Sequence, residues 1–338
     1  MRLVTFVPPD GHARAGALLV DSVIDLASAA PLVLEESADL RWDLLSLLHA
    51  EQDVGLDTVE VIVSAVVQML GFAPEESSEY EAMLSISTGS VSLGGEAMVY
   101  PLDQVSLLAP LPRPTSLRIY GSFEEHALAL ASLRETGLTD VWYRGPAFSF
   151  ANHGAVYGPG AEILAPPSDE LDYGLGLGCV IGQRVRDVSP ETAREAIAGY
   201  MIINTWTARD YEAEEQALGL GPIKARDFAT SLGPWLVTPD ELDLYTDDQG
   251  RMSLAMIARV NGIEMSRATA ALQYYSFAEM IAHASRNVTL YPGDVLGTGA
   301  VGGGSLFERT NGYGPWLAHD DVVACELTGL GILSNRIV

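Results

Sequence analysis

The strongest constraint on the fold is a series of short apolar segments in the last two thirds of the chain, separated by glycine and proline clusters. These segments lie at 147–150, 175–181, 235–237, 256–260 and 322–327. Short apolar runs between turn residues are typical of buried strands. They do not alternate regularly with helical segments, as a parallel βαβ sheet would require. The pattern therefore predicts a β-rich mixed (α+β) fold.

A proline-rich connection at 110–114 indicates a boundary between two parts of the chain, because such a run disfavours both helix and sheet. Upstream of it, periodicity predicts strands at 2–7 and 17–20 and helices at 41–50 and 57–71. We therefore predict a small α/β domain over residues 1–110 and a second, strand-rich domain over residues 111–338.

Two further helices have recognisable starts. The segment Ser-Phe-Glu-Glu at 122–125 has the spacing of a capping box, in which the serine caps a backbone N–H and the glutamate reaches back. Ser189 precedes Pro190, which places a capping residue before a proline at the first helical position. The first of these helices carries His126.

Composition narrows the class of protein. Of 338 residues, 45 are acidic and 19 basic, a formal net charge of −26, which disfavours binding to nucleic acid or anionic membranes. No apolar run approaches the ~20 residues needed to span a bilayer, and the N-terminus does not resemble a signal peptide. Cys179 and Cys325 lie in apolar runs without metal-ligand spacing. We expect a cytoplasmic protein with reduced, buried cysteines.

Familiar catalytic motifs are incomplete or missing. Residues 297–302 match G-x-G-x-x-G, but a dinucleotide site needs a helix directly after it, and two more glycines follow instead. The six histidines include no pair at metal-ligand spacing, and the G-x-S-x-G motif of serine hydrolases is absent. The glycine run is therefore predicted to be a tight loop, and no cofactor is expected.

Five ordered segments resemble the fumarylacetoacetate hydrolase family. They are residues 117–126, 171–182, 204–210, 221–235 and 293–299. The resemblance extends over essentially the whole chain and includes an N-terminal domain of a kind that some members carry. It implies a twisted, mostly β roll, usually a homodimer. Such proteins act on β-dicarbonyl or acylpyruvate-like acids, at bonds beside an enolisable ketone.

The chain departs from the family at the metal site. Members usually have metal-binding carboxylates where this chain has Ile119, Gly174, Gly176 and Thr205. A hard divalent cation needs several oxygen ligands, which one threonine cannot supply, so we expect no bound metal. The two glycines share one face of a predicted strand, and their missing side chains predict an enlarged, less charged cavity. We expect all four residues to border a small organic substrate.

Other residues that match the family's motifs predict the chemistry. His126 stands at the position of the family's catalytic histidine, and Glu308 at that of the acid which orients it. A histidine held by a carboxylate is a general-base unit. Arg209 of the T-A-R-D run is retained. Arg226 replaces a lysine and Ala300 a substrate-binding threonine, so both are also predicted to contact the substrate.

Three functions are consistent with these residues. The first is a metal-independent enzyme of natural-product metabolism that acts on an enolisable β-dicarbonyl, tetronate or polyketide-like substrate. In it His126 would move a proton while Arg209 or Arg226 stabilises an enolate, and cyclisation, cycloaddition, isomerisation and C–C lysis all remain open. The second is a non-catalytic binding or scaffold protein. The third, which the missing carboxylates disfavour, is an ordinary metal-dependent acylpyruvate hydrolase.

Overall fold

The computed structural model describes residues 1–9, 11–37, 39–70, 92–93 and 96–338. Its strands are β1 (Arg2–Val7), β2 (Arg14–Leu19), β3 (Ser22–Asp25), β4 (Ser92–Leu93), β5 (Glu96–Ala97), β6 (Val99–Pro101), β7 (Ser106–Leu107), β8 (Ser116–Tyr120), β9 (Phe148–Phe150), β10 (Val156–Tyr157), β11 (Glu162–Ile163), β12 (Leu171–Asp172), β13 (Leu175–Ile181), β14 (Val185–Arg186), β15 (Ile197–Thr205), β16 (Thr207–Ala208), β17 (Thr230–Val237), β18 (Ala255–Val260), β19 (Ile263–Thr269), β20 (Thr289–Leu290), β21 (Asp294–Gly297), β22 (Val322–Leu327) and β23 (Gly331–Ile337). Its α-helices are α1 (Leu26–Ala29), α2 (Leu44–Leu48), α3 (Leu56–Met69), α4 (Glu124–Leu133), α5 (Pro190–Ala193), α6 (Arg209–Ala217), α7 (Phe277–Ser285) and α8 (Leu306–Arg309). Short 3-10 helices include Trp142–Arg144 and Lys224–Arg226.

One large sheet runs through the molecule. Its strand order is β6-β3-β2-β1-β17-β15-β13-β21-β8-β9, with β7 paired to β1 and β10 to β17. Neighbours along this order are antiparallel except β21 and β8, which run parallel. A second, five-stranded sheet has the order β11-β23-β22-β18-β19. This architecture confirms the β-rich mixed fold that the sequence predicts.

The central strand β13 illustrates why its sequence is apolar throughout. Every one of its residues is buried, because both faces of the sheet are covered. Successive side chains point to opposite faces, and Leu175 and Leu177 belong to one hydrophobic core while Val180 belongs to the other. The sequence therefore shows a continuous apolar run and not an alternating one.

The N-terminal segment contributes β1, β2, β3 and β6 to the large sheet. β1 pairs antiparallel with β17, with Leu3 opposite Leu236. Both side chains belong to the same apolar core as Ile62 of α3 and Val295 of β21. The sheet and its core thus continue across residue 110, and the division into two domains at that point remains a prediction.

Most predicted elements lie where the sequence places them. The strands expected at 175–181 and 322–327 coincide with β13 and β22, and α5 begins at Pro190 after Ser189. The helix expected at 57–71 is α3, although residue 71 lies outside the described residues. Cys179 and Cys325 are buried and free, and burial raises the pKa of both thiols, to about 12 for Cys325. Within the described ranges, no helix combines the length and apolarity required to cross a membrane.

The predicted capping box at 122–125 is wrong. The N-cap residue of α4 is Phe123, and no side chain caps this helix. Ser122 instead donates its hydroxyl hydrogen to the carbonyl oxygen of Thr298 at 3.0 Å, and its backbone N–H donates to the same oxygen. These two hydrogen bonds hold the start of α4 against the glycine-rich loop that follows β21.

Candidate active site

The candidate site lies where the ends of neighbouring strands meet at one edge of the large sheet. β15 ends at Thr205 beside the start of β13, since the two strands are antiparallel and Leu175 lies opposite Asn204. β21 and β8 are parallel and end together, with Gly297 opposite Ile119. These ends border a cavity of about 280 Å³. The topology therefore gathers segments that are far apart in sequence.

Most of the predicted site residues line this cavity. They are Ile119, His126, Gly174, Thr205, Arg209, Arg226 and Ala300. Glu308 and Gly176 are not among the lining residues. Glu308 lies behind His126, and Gly176 lies against the glycine-rich loop, as described below.

His126 and Glu308 form a direct contact. His126 lies in the first turn of α4 and is 8% exposed, and its Nδ1 atom is 2.7 Å from Oε2 of Glu308. Glu308 lies on the short helix α8 and accepts two further hydrogen bonds, from the Ser305 hydroxyl and the Gly303 N–H, both at 2.9 Å. With the Nδ1 proton held by this carboxylate, Nε2 of the imidazole is left to accept a proton.

The glycine-rich run at 297–302 is a tight loop, as expected. Gly299 has a φ of +77°, and a Cβ atom there would lie 2.1 Å from the carbonyl oxygen of Tyr120. Only glycine can combine this left-handed conformation with so close an approach. The loop thereby brings Ala300 to the cavity beside the end of β8, and no helix begins until Leu306.

A cluster of arginines surrounds one buried carboxylate at the cavity wall. Glu212 of α6 accepts hydrogen bonds from Arg209 at 2.7 Å, Arg134 at 2.9 Å and Arg226 at 3.0 Å. Burial raises the pKa of Glu212, but the three guanidinium charges outweigh it and lower this pKa from the ordinary 4.5 to about 2. Glu212 is therefore ionised at neutral pH.

Arg209 has a structural task that its sequence context does not reveal. Its Nε and Nη2 atoms contact Oδ2 of Asp172 at 2.9 and 2.8 Å, and its side chain is only 3% exposed. Asp172 in turn accepts the backbone N–H groups of Leu306 and Phe307 at 2.7 and 3.1 Å. Arg209 thus anchors the start of α8, the helix that carries Glu308. Its predicted contact with a substrate remains a prediction.

Arg134 and Glu212 are the residues that the sequence-based interpretation missed. Both line the cavity. Arg134 is the C-cap residue of α4, which carries His126, and Glu212 lies on α6, which carries Arg209. Arg134 follows His126 and Leu130 at the i, i+4, i+8 spacing of one helix face, and Glu212 stands three residues after Arg209. Helical spacing from a known site residue would have indicated both.

The residues at the family's metal site do not fit a divalent cation. Thr205 supplies the only side-chain oxygen among the four positions, and a hard cation requires several such ligands. The acids of this region, Asp172 and Glu212, are already bound to arginines. Within the described ranges, no group of three or more His, Cys, Asp or Glu side chains is arranged to hold a metal ion. These residues therefore do not offer a site for a divalent cation.

The two glycines do not enlarge the cavity, so that expectation is wrong. A Cβ atom on Gly174 would lie 2.3 Å from the Thr205 hydroxyl oxygen, and one on Gly176 would lie 2.6 Å from the carbonyl oxygen of Gly299. The space that side chains would need is already occupied by Thr205 and by the glycine-rich loop. Close approach of neighbouring atoms, and not ligand volume, requires glycine here.

Alanine substitutions in β13 test this correction. Gly176→Ala is expected to destabilise the fold by about 1–3 kcal/mol, the usual cost of overpacking, because backbone atoms of the glycine-rich loop cannot easily move away. Gly178→Ala is the matched control, since a Cβ atom there meets nothing closer than 3.7 Å. Urea denaturation measures both. Equal stability of the two variants would mean that the space beside Gly176 is open after all.

Comparison with known proteins agrees with the resemblance. The family described as fumarylacetoacetate (FAA) hydrolase C-terminal matches residues 118–338. A Bos taurus protein named oxaloacetate tautomerase FAHD2A, mitochondrial, is 30% identical over 260 residues, which cover 76% of this chain and 77% of that protein. A Dictyostelium discoideum protein named fumarylacetoacetate hydrolase domain-containing protein 2 homolog is 26% identical and covers 100% of this chain and 97% of its own length.

The fold is also found in solved structures. Fumarylacetoacetate hydrolase from psychrophilic Exiguobacterium antarcticum superposes with a TM-score of 0.69 at 23% identity, over 100% of this chain and 99% of that one. The family match spans the second predicted domain almost completely and includes every predicted site residue. The chain belongs to the fumarylacetoacetate hydrolase family.

Proposed function

We propose that this chain is a metal-independent, proton-transferring enzyme that isomerises a small, enolisable keto acid. The observation that carries the proposal is the 2.7 Å contact between His126 Nδ1 and Glu308 at the wall of the cavity. In this account His126 Nε2 takes a proton from the carbon beside a ketone. Glu308 holds the imidazole in place and stabilises its positive charge. The proton then returns to the enolate oxygen, which completes a keto–enol tautomerisation.

The charges of the cavity wall support an acidic substrate. Three guanidinium groups, from Arg134, Arg209 and Arg226, line the cavity beside a single lining carboxylate, that of Glu212, so positive charge predominates among the lining residues. Arg226 and Arg134 retain side-chain exposures of 19% and 28%, whereas Arg209 retains 3%. We therefore assign stabilisation of the enolate to Arg226 with Arg134, and positioning of α8 to Arg209.

The size of the cavity also supports a choice among the reactions that the sequence left open. Its volume of about 280 Å³ lies just below the roughly 300–1,000 Å³ of sites that hold drug-sized ligands. This favours a compact keto acid over a polyketide-like intermediate, and isomerisation over cyclisation or cycloaddition. The matched relatives include a protein named oxaloacetate tautomerase, and this name denotes the same class of reaction. Oxaloacetate is accordingly the first substrate to test.

The test of metal independence uses chelated protein. Protein treated with EDTA and dialysed is analysed for Mg, Mn, Ca and Zn, and its acceleration of oxaloacetate enol-to-keto conversion is followed by ultraviolet absorbance, with the spontaneous rate subtracted. We expect far less than one metal per chain and an unchanged rate, because the site lacks carboxylate ligands. A rate abolished by EDTA and restored by Mg²⁺ or Mn²⁺ would refute metal independence.

A further inference from the structure

A second cavity borders α7. It has a volume of about 710 Å³ and is bordered by the 3-10 helix Trp142–Arg144, by residues 187–190 and by α7. None of its lining residues lines the cavity that contains His126. The two are separated by His283, whose ring lies 6.2 Å from that of Tyr120 and 6.0 Å from that of Phe148. Both of those aromatic residues line the first cavity.

Two arginines at this second cavity have no acidic partner among the described residues. They are Arg144 and Arg286. The two acidic residues at the same cavity, Asp187 and Glu279, interact with other groups. Asp187 pairs with Arg186 at 3.2 Å and accepts the Asn287 N–H at 2.6 Å.

The other acid, Glu279, accepts hydrogen bonds from the N–H and hydroxyl of Ser276 in the capping box of α7. The lining of this cavity therefore carries two guanidinium groups without ion pairs among the described residues and one carboxylate, Glu279, whose hydrogen bonds come from an uncharged serine. Positive charge predominates there, since the charge of Asp187 is balanced by Arg186.

Aromatic rings and one unsatisfied polar atom complete the cavity. Tyr143 and Tyr274 are 41% and 40% exposed, and their rings meet edge to face at 5.8 Å. Such rings offer flat apolar surface to a planar ligand. Nδ1 of His283 is buried and has no hydrogen-bond partner in the described part of the chain. Buried polar atoms without partners are uncommon in folded proteins, and each one calls for a structural or functional explanation.

We propose that this cavity is a second binding site, for a planar organic anion such as an aromatic carboxylate. Arg144 and Arg286 would bind the acidic group through charge-assisted hydrogen bonds, and Tyr143 and Tyr274 would pack against the ring system. His283 would complete the polar contacts from the wall that adjoins the first cavity. The proposal does not depend on the chemistry at His126, because the two cavities share no lining residue.

The probe for this site is 2-naphthoate, and its uncharged control is 2-naphthylmethanol. Isothermal titration calorimetry measures both against the full chain and against an Arg144→Gln, Arg286→Gln double variant. Arg113→Gln is a control, since it removes one positive charge from an exposed arginine that does not line the cavity. Arg226→Gln reports binding in the first cavity, and thermal melts confirm that every variant is folded.

We expect saturable binding of naphthoate that is at least about tenfold tighter than that of the alcohol, since hydrogen bonds to charged groups contribute strongly. Affinity should fall at least about tenfold in the double variant and stay unchanged in Arg113→Gln and Arg226→Gln. Absence of saturable binding would overturn the proposal. It would also fail if charged and uncharged probes bind alike, if the double variant binds as the parent does, or if the loss occurs in Arg226→Gln instead.

Discussion

Replacing His126 by alanine is expected to lower the rate of catalysed proton transfer by about 10²–10⁴-fold, the usual effect of removing a general base. The His126 imidazole lines the cavity, and the Glu308 carboxylate holds its Nδ1 atom. Among the described residues, the nearby acids Glu212 and Asp172 are held in ion pairs and do not offer an alternative base. The measurement is the initial rate of oxaloacetate tautomerisation at saturating substrate.

Glu308→Gln is the graded companion to this variant. It keeps the shape of the side chain and an oxygen acceptor for the His126 N–H but removes the negative charge that stabilises an imidazolium. We therefore expect a smaller loss of rate than for His126→Ala. A thermal melt of each variant verifies folding, since both positions are buried. A folded His126→Ala protein with the parental rate would exclude base catalysis by this residue.

The largest loss of stability is expected from Glu212→Ala, which leaves three guanidinium groups without the carboxylate that they share. Breaking a buried ion pair by removing one partner typically costs about 3–5 kcal/mol. Arg226 and Arg134 lose the only carboxylate that pairs with them among the described residues, whereas Arg209 keeps Asp172. Chemical denaturation measures the free energy of unfolding. Glu214→Ala is the control, since Glu214 lies on the same helix and is exposed.

The same carboxylate makes stability depend on pH. The pKa of Glu212 is about 2 in the folded protein and has an ordinary value of 4.5, so folding favours its ionised form. The stability that the ionised Glu212 carboxylate contributes to the folded protein is complete above pH 4.5 and is lost as the pH falls toward 2. The difference in unfolding free energy between parent and Glu212→Ala should shrink over that interval. An equal difference in unfolding free energy at pH 7 and pH 3 would contradict the interpretation that Glu212 is ionised among the three arginines.

Strand positions could be predicted closely because they depend on local patterns. β13 and β22 begin and end where apolar runs meet glycine or polar residues. β13 is buried on both faces, which makes its apolar run continuous, whereas burial alternates along β22. The contact between His126 and Glu308 was indicated only by the match to family motifs. The two residues are 182 positions apart, and no local pattern relates them. The strand order, which places α4 beside α8, is what brings them together.

The errors have a common physical origin in tertiary contacts. Ser122 has the sequence of a helix cap, yet its hydroxyl is used by Thr298, 176 residues away. The absence of a side chain at Gly176 suggests open space when only the sequence is considered. In the fold, the glycine-rich loop fills that space. In both cases a residue distant in sequence decides the role of a residue whose neighbours suggest another.

Exchange of the substrate's carbon-bound protons with solvent tests the central claim most directly. Oxaloacetate in D₂O with EDTA is followed by NMR in the presence of parent protein or His126→Ala, and the spontaneous rate of deuterium incorporation beside the ketone is subtracted. We expect rapid incorporation with the chelated parent protein and a rate near the spontaneous one with the variant. Incorporation that requires added Mg²⁺ or Mn²⁺, or that is unchanged in a folded His126→Ala variant, would contradict metal-independent proton transfer by the His126–Glu308 pair.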